Sequence, residues 1–216
     1  MNYSTVLFDL DGTITNPSQG ITNSVAYALD FYGNSYESKK ALEAFIGPPL
    51  REQFMKYCNV DRDMGENYVK KYREFYSVKG IYQNEVYSGI EEMLSKLKNA
   101  GIKVVLATSK PEEFAKIILD HFNLSCYFDF VAGALMDNTR TNKAEVIKYA
   151  LECIHQEPCD EIIMVGDRRH DIEGAHQVGL KAIGVTFGFG SKDELDKAQA
   201  EKIVSTVDEL SQALMN

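Results

Sequence analysis

Short apolar runs recur along this chain in a strand–helix–strand rhythm, and that rhythm limits the fold more than any other feature. Thr5–Phe8, Lys103–Ala107, Phe128–Ala132, Glu161–Val165 and Lys181–Val185 read as parallel strands, with a short edge at Lys202–Ser205. Helical stretches separate them, which is the pattern of a doubly wound parallel sheet in an α/β domain. Serine–glutamate pairs at capping-box spacing mark three helix starts: Ser88 with Glu91, Ser109 with Glu112, and Ser191 with Glu194. After Ser88, Ile90, Met93, Leu94 and Leu97 form an apolar stripe that stops at Gly101.

The stretch from about Ile14 to Gln83 breaks the rhythm. It shows no obvious strand and reads as helices at Ile21–Tyr32, Glu37–Ala44, Leu50–Tyr57 and Gly65–Val78. The expected division is a core of residues 1–14 and 84–216 with an inserted all-helical cap at residues 15–83. Such a cap would sit over the C-terminal ends of the strands, where doubly wound folds place ligands. Ile14–Pro17 and Ile81–Val86 would serve as hinges.

The chemistry begins at Asp9-Leu10-Asp11-Gly12-Thr13, directly after Val6-Leu7-Phe8. Gly12 permits a turn, so both acids can converge on one small volume. Clustered carboxylates repel each other unless a cation or a proton sits between them. The pattern therefore calls for either a divalent metal or an acid–base pair. Matching parts follow downstream. Ile162–Val165 ends in Gly166-Asp167-Arg168-Arg169-His170-Asp171, and the spacing of Asp167 and Asp171 puts two acids on one helix face. Lys103–Ala107 ends in Thr108-Ser109, where hydroxyls and free N–H groups suit phosphate oxygens. Lys143 opens the helical stretch Ala144–Leu151 and offers a compact cation to an anion.

In this order, and across nearly the whole chain, these residues resemble the haloacid dehalogenase superfamily of hydrolases with an inserted helical cap. The family's DxDGT motif matches Asp9, Asp11, Gly12 and Thr13, and its strand-ending Thr or Ser matches Thr108. Its lysine matches Lys143, and its GDxxxD motif matches Gly166, Asp167 and Asp171. Phe45–Leu50 and Ala107–Pro111 are similar to the phosphoglycolate phosphatase-like and 5′-nucleotidase-like branch.

The resemblance implies a Mg²⁺-dependent phosphatase of small phosphomonoesters that works through a phosphoaspartate. Asp9 would be the nucleophile, and Asp11 the acid that protonates the leaving oxygen and then the base that deprotonates water. Mg²⁺ would be held by Asp9, Asp167 and the backbone carbonyl of Asp11, with Asp171 nearby. Gly12, Thr108, Ser109 and Lys143 would hold the phosphoryl group, and Lys143 would also orient Asp9. Asp11 favours phosphate esters over dehalogenation, because a departing alkoxide needs a proton. A phosphosugar mutase shares every core motif, and a non-catalytic metabolite-binding module is the reading outside enzymology.

Substrate choice lies between 5′-nucleotides and small acids such as phosphoglycolate. Arg51 and Lys110 are the candidate specificity residues, Arg51 reading equally as a solvated arginine. Tyr68, Tyr72 and Tyr76 form either an aromatic wall for a nucleobase or a packed helix face. Arg140 reads as a surface loop residue that reaches the site only if the loop folds inward. His170 is expected to point away from the paired acids, and Gly184–Gly190 to form a loop near the site entrance.

Composition sets the remaining bounds. A hydrophobic content of 44% with 25% charged residues is that of a globular protein, and a formal charge of -9 argues against nucleic-acid or anionic-membrane partners. No signal pattern or membrane-length apolar run is visible, so a cytoplasmic monomer or homodimer acting on a small-molecule phosphate ester is expected. Cys58, Cys126, Cys153 and Cys159 lack CxxC spacing and are expected to be reduced, buried small hydrophobes.

Overall fold

Val6, Leu7 and Phe8 are fully buried, as are Val104–Ala107 and Ile163–Val165, so these strands have no solvent face. Strands of that kind are stable only in a parallel sheet covered by helices on both sides. The computed structural model describes residues 3–137 and 139–216. In chain order the elements are β1 (Thr5–Phe8), β2 (Thr15–Asn16), α1 (Ser18–Phe31), α2 (Leu50–Cys58), α3 (Arg62–Tyr76), β3 (Glu85–Val86), α4 (Ile90–Asn99), β4 (Lys103–Pro111) and α5 (Glu112–His121). They continue with β5 (Phe130–Ala134), α6 (Lys143–Cys153), β6 (Ile162–Gly166), α7 (Arg169–Gln177), β7 (Lys181–Val185), α8 (Lys192–Lys197), β8 (Lys202–Val204) and α9 (Val207–Met215). Short 3₁₀ turns lie at Lys40–Phe45, Gly80–Tyr82 and Ser125–Tyr127.

The chain divides into two compact units, one of residues up to Thr15 and from Val86 onward, the other Asn16–Glu85. The first holds a six-stranded sheet of order β5-β4-β1-β6-β7-β8, parallel throughout. Leu7 sits beside Val105 on one side and Met164 on the other. The order reverses around β1, so the crevice of this fold opens at the C-terminal ends of β1, β4 and β6. Val146 and Ile147 of α6, with Ile172 and Ala175 of α7, close one face over Leu7, Val105 and Met164.

Several local expectations are corrected. Strand β5 starts at Phe130, not Phe128, because Asp129 stops the ladder: its Oδ2 accepts from Val104 N at 2.8 Å and its Oδ1 takes Lys98 Nζ at 2.6 Å. Strand β4 runs on to Pro111 with a register irregularity after Thr108, so α5 begins behind Pro111 and Ser109 is no cap. Gly89, with φ at +87°, is the residue before α4 and takes the place expected for Ser88. Ser191 does cap its helix, accepting from Glu194 N at 3.1 Å. Cys126 and Cys159 are exposed and Cys58 and Cys153 half-buried, all free thiols; the first lies in the 3₁₀ turn and the second in the loop before β6, where no core reaches them.

The Asn16–Glu85 unit is built from α1, α2 and α3. A 3₁₀ turn at Lys40–Phe45 replaces the expected helix Glu37–Ala44. Helix α3 starts before the expected Gly65 because Asp61 accepts from Met64 N at 2.9 Å. A Cβ on Gly20 would fall 2.0 Å from Gly80 O, so α1 meets the Gly80 turn backbone to backbone. Tyr68, Tyr72 and Tyr76 are 2–4% exposed. Tyr68 stacks on Phe54 at 5.1 Å and Tyr72 on Tyr76 at 5.2 Å, so these rings are packing, not an open wall. Among the described residues no helix is long and apolar enough to cross a membrane.

Candidate active site

The turn after β1 separates its two acids. Asp9 keeps one more rung of the ladder, its N–H donating to Val165 O at 2.9 Å. Gly12 then takes φ +85°, and the chain folds back with Ile14 and Thr15 N–H groups on Leu10 O. Asp9 Oδ1 lies 2.8 Å from Lys143 Nζ, whereas Asp11 Oδ2 lies 2.5 Å from Lys110 Nζ. A Cβ on Gly12 would fall 2.2 Å from Asp167 Oδ2, so only glycine allows the two loops to touch.

Asp167 and Asp171 arrive differently from the expected shared helix face. Asp167 precedes α7, which begins at Arg169, and Asp171 sits in that helix's first turn. Asp171 turns back on the strand end, its Oδ2 accepting from Arg168 N at 3.0 Å and its Oδ1 meeting Lys143 Nζ at 2.7 Å. A Cβ on Gly166 would lie 2.2 Å from Asp171, so that approach requires the glycine. Lys143 Nζ also donates to Ala107 O at 3.1 Å, tying the start of α6 to β4.

Thr108 is buried in β4 where its register breaks, and its Oγ1 accepts from Lys110 N at 3.2 Å, while Ser109 is half-buried beside it. Arg51 lies in the other unit, where Glu66 at 2.7 Å and Glu52 at 2.8 Å answer its charge. Arg140 donates to Gly133 O and Glu112 Oε2 and covers the Tyr149 ring, a structural post rather than a member of the acid cluster. His170 is half-buried, its pKa lowered by burial and by Arg169 and Arg168, with Glu173 and Glu194 opposing.

Sequence reasoning gave Gly184–Gly190 as a loop near the site entrance but missed its contacts with the acids, and Gly184 itself lies in β7, so the loop follows Val185. Phe189 N–H donates to Asp167 Oδ2 at 2.7 Å. A Cβ on Gly188 would fall 2.2 Å from Gly12 O, and one on Gly190 would fall 1.8 Å from Asp167 O. The alternating glycines of Gly188-Phe189-Gly190 were the available signal, because closely approaching backbones need them.

Burial and like charge load this cluster. The Asp167 carboxyl is pushed well above the usual range, by burial first and then by Asp171 and Asp9. Burial also raises Asp171, to about 6, against the pull of Lys143. Asp11 is raised by burial, with Lys110 opposing. Burial alone would lower Lys143, but Asp171 and Asp9 outweigh it and hold the ammonium charged. Four carboxyl groups thus share two lysines, and burial and like charge act against ionising Asp167, Asp171 and Asp11 together unless a further cation joins them.

Asp9, Asp167 and Asp171 each offer a carboxylate oxygen within 4.8 Å of the others, all three residues buried. Asp167 Oδ1 has no hydrogen-bond partner among the described residues. A hard divalent cation fits this all-oxygen donor set of crowded acids.

Comparison with known proteins agrees. Residues 6–185 match the family model for haloacid dehalogenase-like hydrolases, and the chain belongs to that family of enzymes. A Pseudomonas aeruginosa relative named 5′-nucleotidase is 42% identical over 99% of this chain and 96% of its own length. A Mycobacterium tuberculosis relative named tyrosine-protein kinase PtkA is 36% identical over 97% of this chain and 72% of its own. The solved structure of a predicted phosphatase from Clostridium acetobutylicum has a TM-score of 0.96 at 45% identity, covering 100% of this chain and 99% of that one.

Proposed function

We propose that this enzyme is a Mg²⁺-dependent phosphatase of small phosphomonoesters, with 5′-nucleotides as its main substrate class. One observation carries the reading: a buried, lysine-bridged aspartate cluster at the switch point of the sheet. The relative named 5′-nucleotidase supports the nucleotide preference. The Asn16–Glu85 unit is read as the cap.

Lys143 holds Asp9 in place, so an Asp9 oxygen can attack phosphorus. The bond from phosphorus to the leaving oxygen breaks, and Asp11 gives that oxygen its proton. Asp11 then takes a proton from water, which attacks the phosphoaspartate and frees phosphate and Asp9. Gly12, Thr108, Ser109 and Lys143 grip the phosphoryl oxygens. Mg²⁺ on Asp9, Asp167 and the Asp11 carbonyl, with Asp171 nearby, would neutralise charge building on those oxygens.

The test is phosphate release with Mg²⁺ from nucleoside monophosphates, phosphoglycolate and sugar phosphates. Nucleotides should turn over fastest. Conversion of a sugar phosphate into its isomer without free phosphate would establish a mutase instead.

A further inference from the structure

Two half-buried aromatic rings are tied to the loops that carry the acids, and no step of the mechanism uses them. Tyr87 is anchored by its N–H on Ile14 O at 3.2 Å. Its ring meets Phe187 edge-on, with centroids 5.1 Å apart and planes at 67°. Phe187 begins the segment whose Gly188 presses on Gly12 O and whose Phe189 N–H holds Asp167. The pair is thus fastened to both acid-bearing loops. The Tyr87 hydroxyl also feels Asp167 and Asp11, which together with burial hold its pKa above the usual tyrosine value. Among the described residues Phe187 is its one ring partner, and its hydroxyl makes no hydrogen bond.

Position decides what such rings can touch. Asp9 attacks phosphorus from one side, and the leaving oxygen departs on the opposite side towards Asp11. Whatever flanks Asp11 therefore meets the leaving group. Lys110 flanks it too, but Asp11 already neutralises that ammonium. The ring pair offers aromatic surface, which suits a ring on the leaving group better than a second anionic group. The tyrosines Tyr68, Tyr72 and Tyr76 are buried and cannot serve instead.

We propose that Tyr87 and Phe187 are specificity-determining residues that contact the leaving group and select esters bearing an aromatic ring, nucleoside 5′-monophosphates over sugar phosphates. This rests on the phosphatase reading above. Adenosine 5′-monophosphate and ribose 5-phosphate differ only by the base, so their affinity ratio isolates the ring contact.

The experiment is titration calorimetry of both esters with Mg²⁺ on Asp9→Asn protein, alone and carrying Tyr87→Leu, Tyr87→Phe or Phe187→Leu. The parent should prefer the nucleotide. Either leucine variant should cut that preference roughly fivefold, the scale of one lost ring contact, while Tyr87→Phe preserves it. Equal weakening of both esters, or a preference indifferent to all three changes, would overturn the proposal. Wild-type enzyme that releases phosphate from esters yet shows no aromatic preference sinks this inference and the nucleotide preference with it, and leaves the phosphatase reading standing. Absence of both ester binding and phosphate release sinks the phosphatase reading along with it.

Discussion

Asp11 and Lys110 form a half-buried ion pair at 2.5 Å that joins the turn after β1 to the end of β4. Asp9, two residues earlier, pairs instead with Lys143 at 2.8 Å. The two acids of one motif thus have separate cations, and in the proposed mechanism that separation lets one act as nucleophile while the other manages protons.

Replacing Lys110 with Met should leave Asp11 without its partner. Turnover should fall at least roughly tenfold, in kcat more than in KM, because Asp11 loses orientation rather than substrate contact. Steady-state kinetics on one good substrate will show it. A rise in KM alone would assign Lys110 to substrate binding.

Lys143→Met removes the cation shared by Asp9 and Asp171. Stripping one partner from a buried charge pair costs about 3–5 kcal/mol. The variant should melt lower than wild type in chelator, and Mg²⁺ should raise its melting temperature by offsetting the same acids. Thermal denaturation with and without Mg²⁺ checks both statements.

Gly188→Ala would drive a Cβ to within 2.5 Å of Asp167 Oδ2 and closer still to Gly12 O. The loop must move, and Phe189 N–H must leave Asp167. Such supporting contacts typically change metal affinity by about 10–100-fold. Calorimetric Mg²⁺ titration of the variant should show weakening in that range.

Asp129 lies outside the site and offers a stability test. Burial raises its carboxyl, but Lys98 and the Val104 N–H outweigh this, so the folded pKa sits below the unfolded value. Its stabilisation is therefore present above the unfolded pKa and fades as pH falls through the folded one. Asp129→Asn should cost about 1 kcal/mol at pH 7, after discounting for a partly exposed pair. Urea melts at falling pH should show the gap closing below about pH 4.

The sheet was legible because its strands are apolar on both faces and their spacing follows the helices between them. The misplaced ends have local causes. Asp129 ends one ladder with a side chain, and Gly89 starts a helix through a positive φ that no capping pattern announces. The acids were readable as motif residues, but their geometry was not. Asp167 and Asp171 converge through a strand-to-helix turn rather than along one helix face. The Phe189 N–H on Asp167 is a backbone contact between segments distant in sequence, so side-chain identity could not reveal it. The tyrosines of α3 show the converse: a four-residue spacing fits a binding wall and a packed face equally, and burial decides.

The most direct measurement compares phosphate release from adenosine 5′-monophosphate by wild-type and Asp9→Asn enzyme in Mg²⁺, then in excess chelator. The account predicts wild-type turnover that chelator abolishes, and a loss of at least about 1,000-fold in the variant, as for removal of a nucleophile. Asp9→Asn protein retaining wild-type rates, or turnover indifferent to chelator, would contradict it.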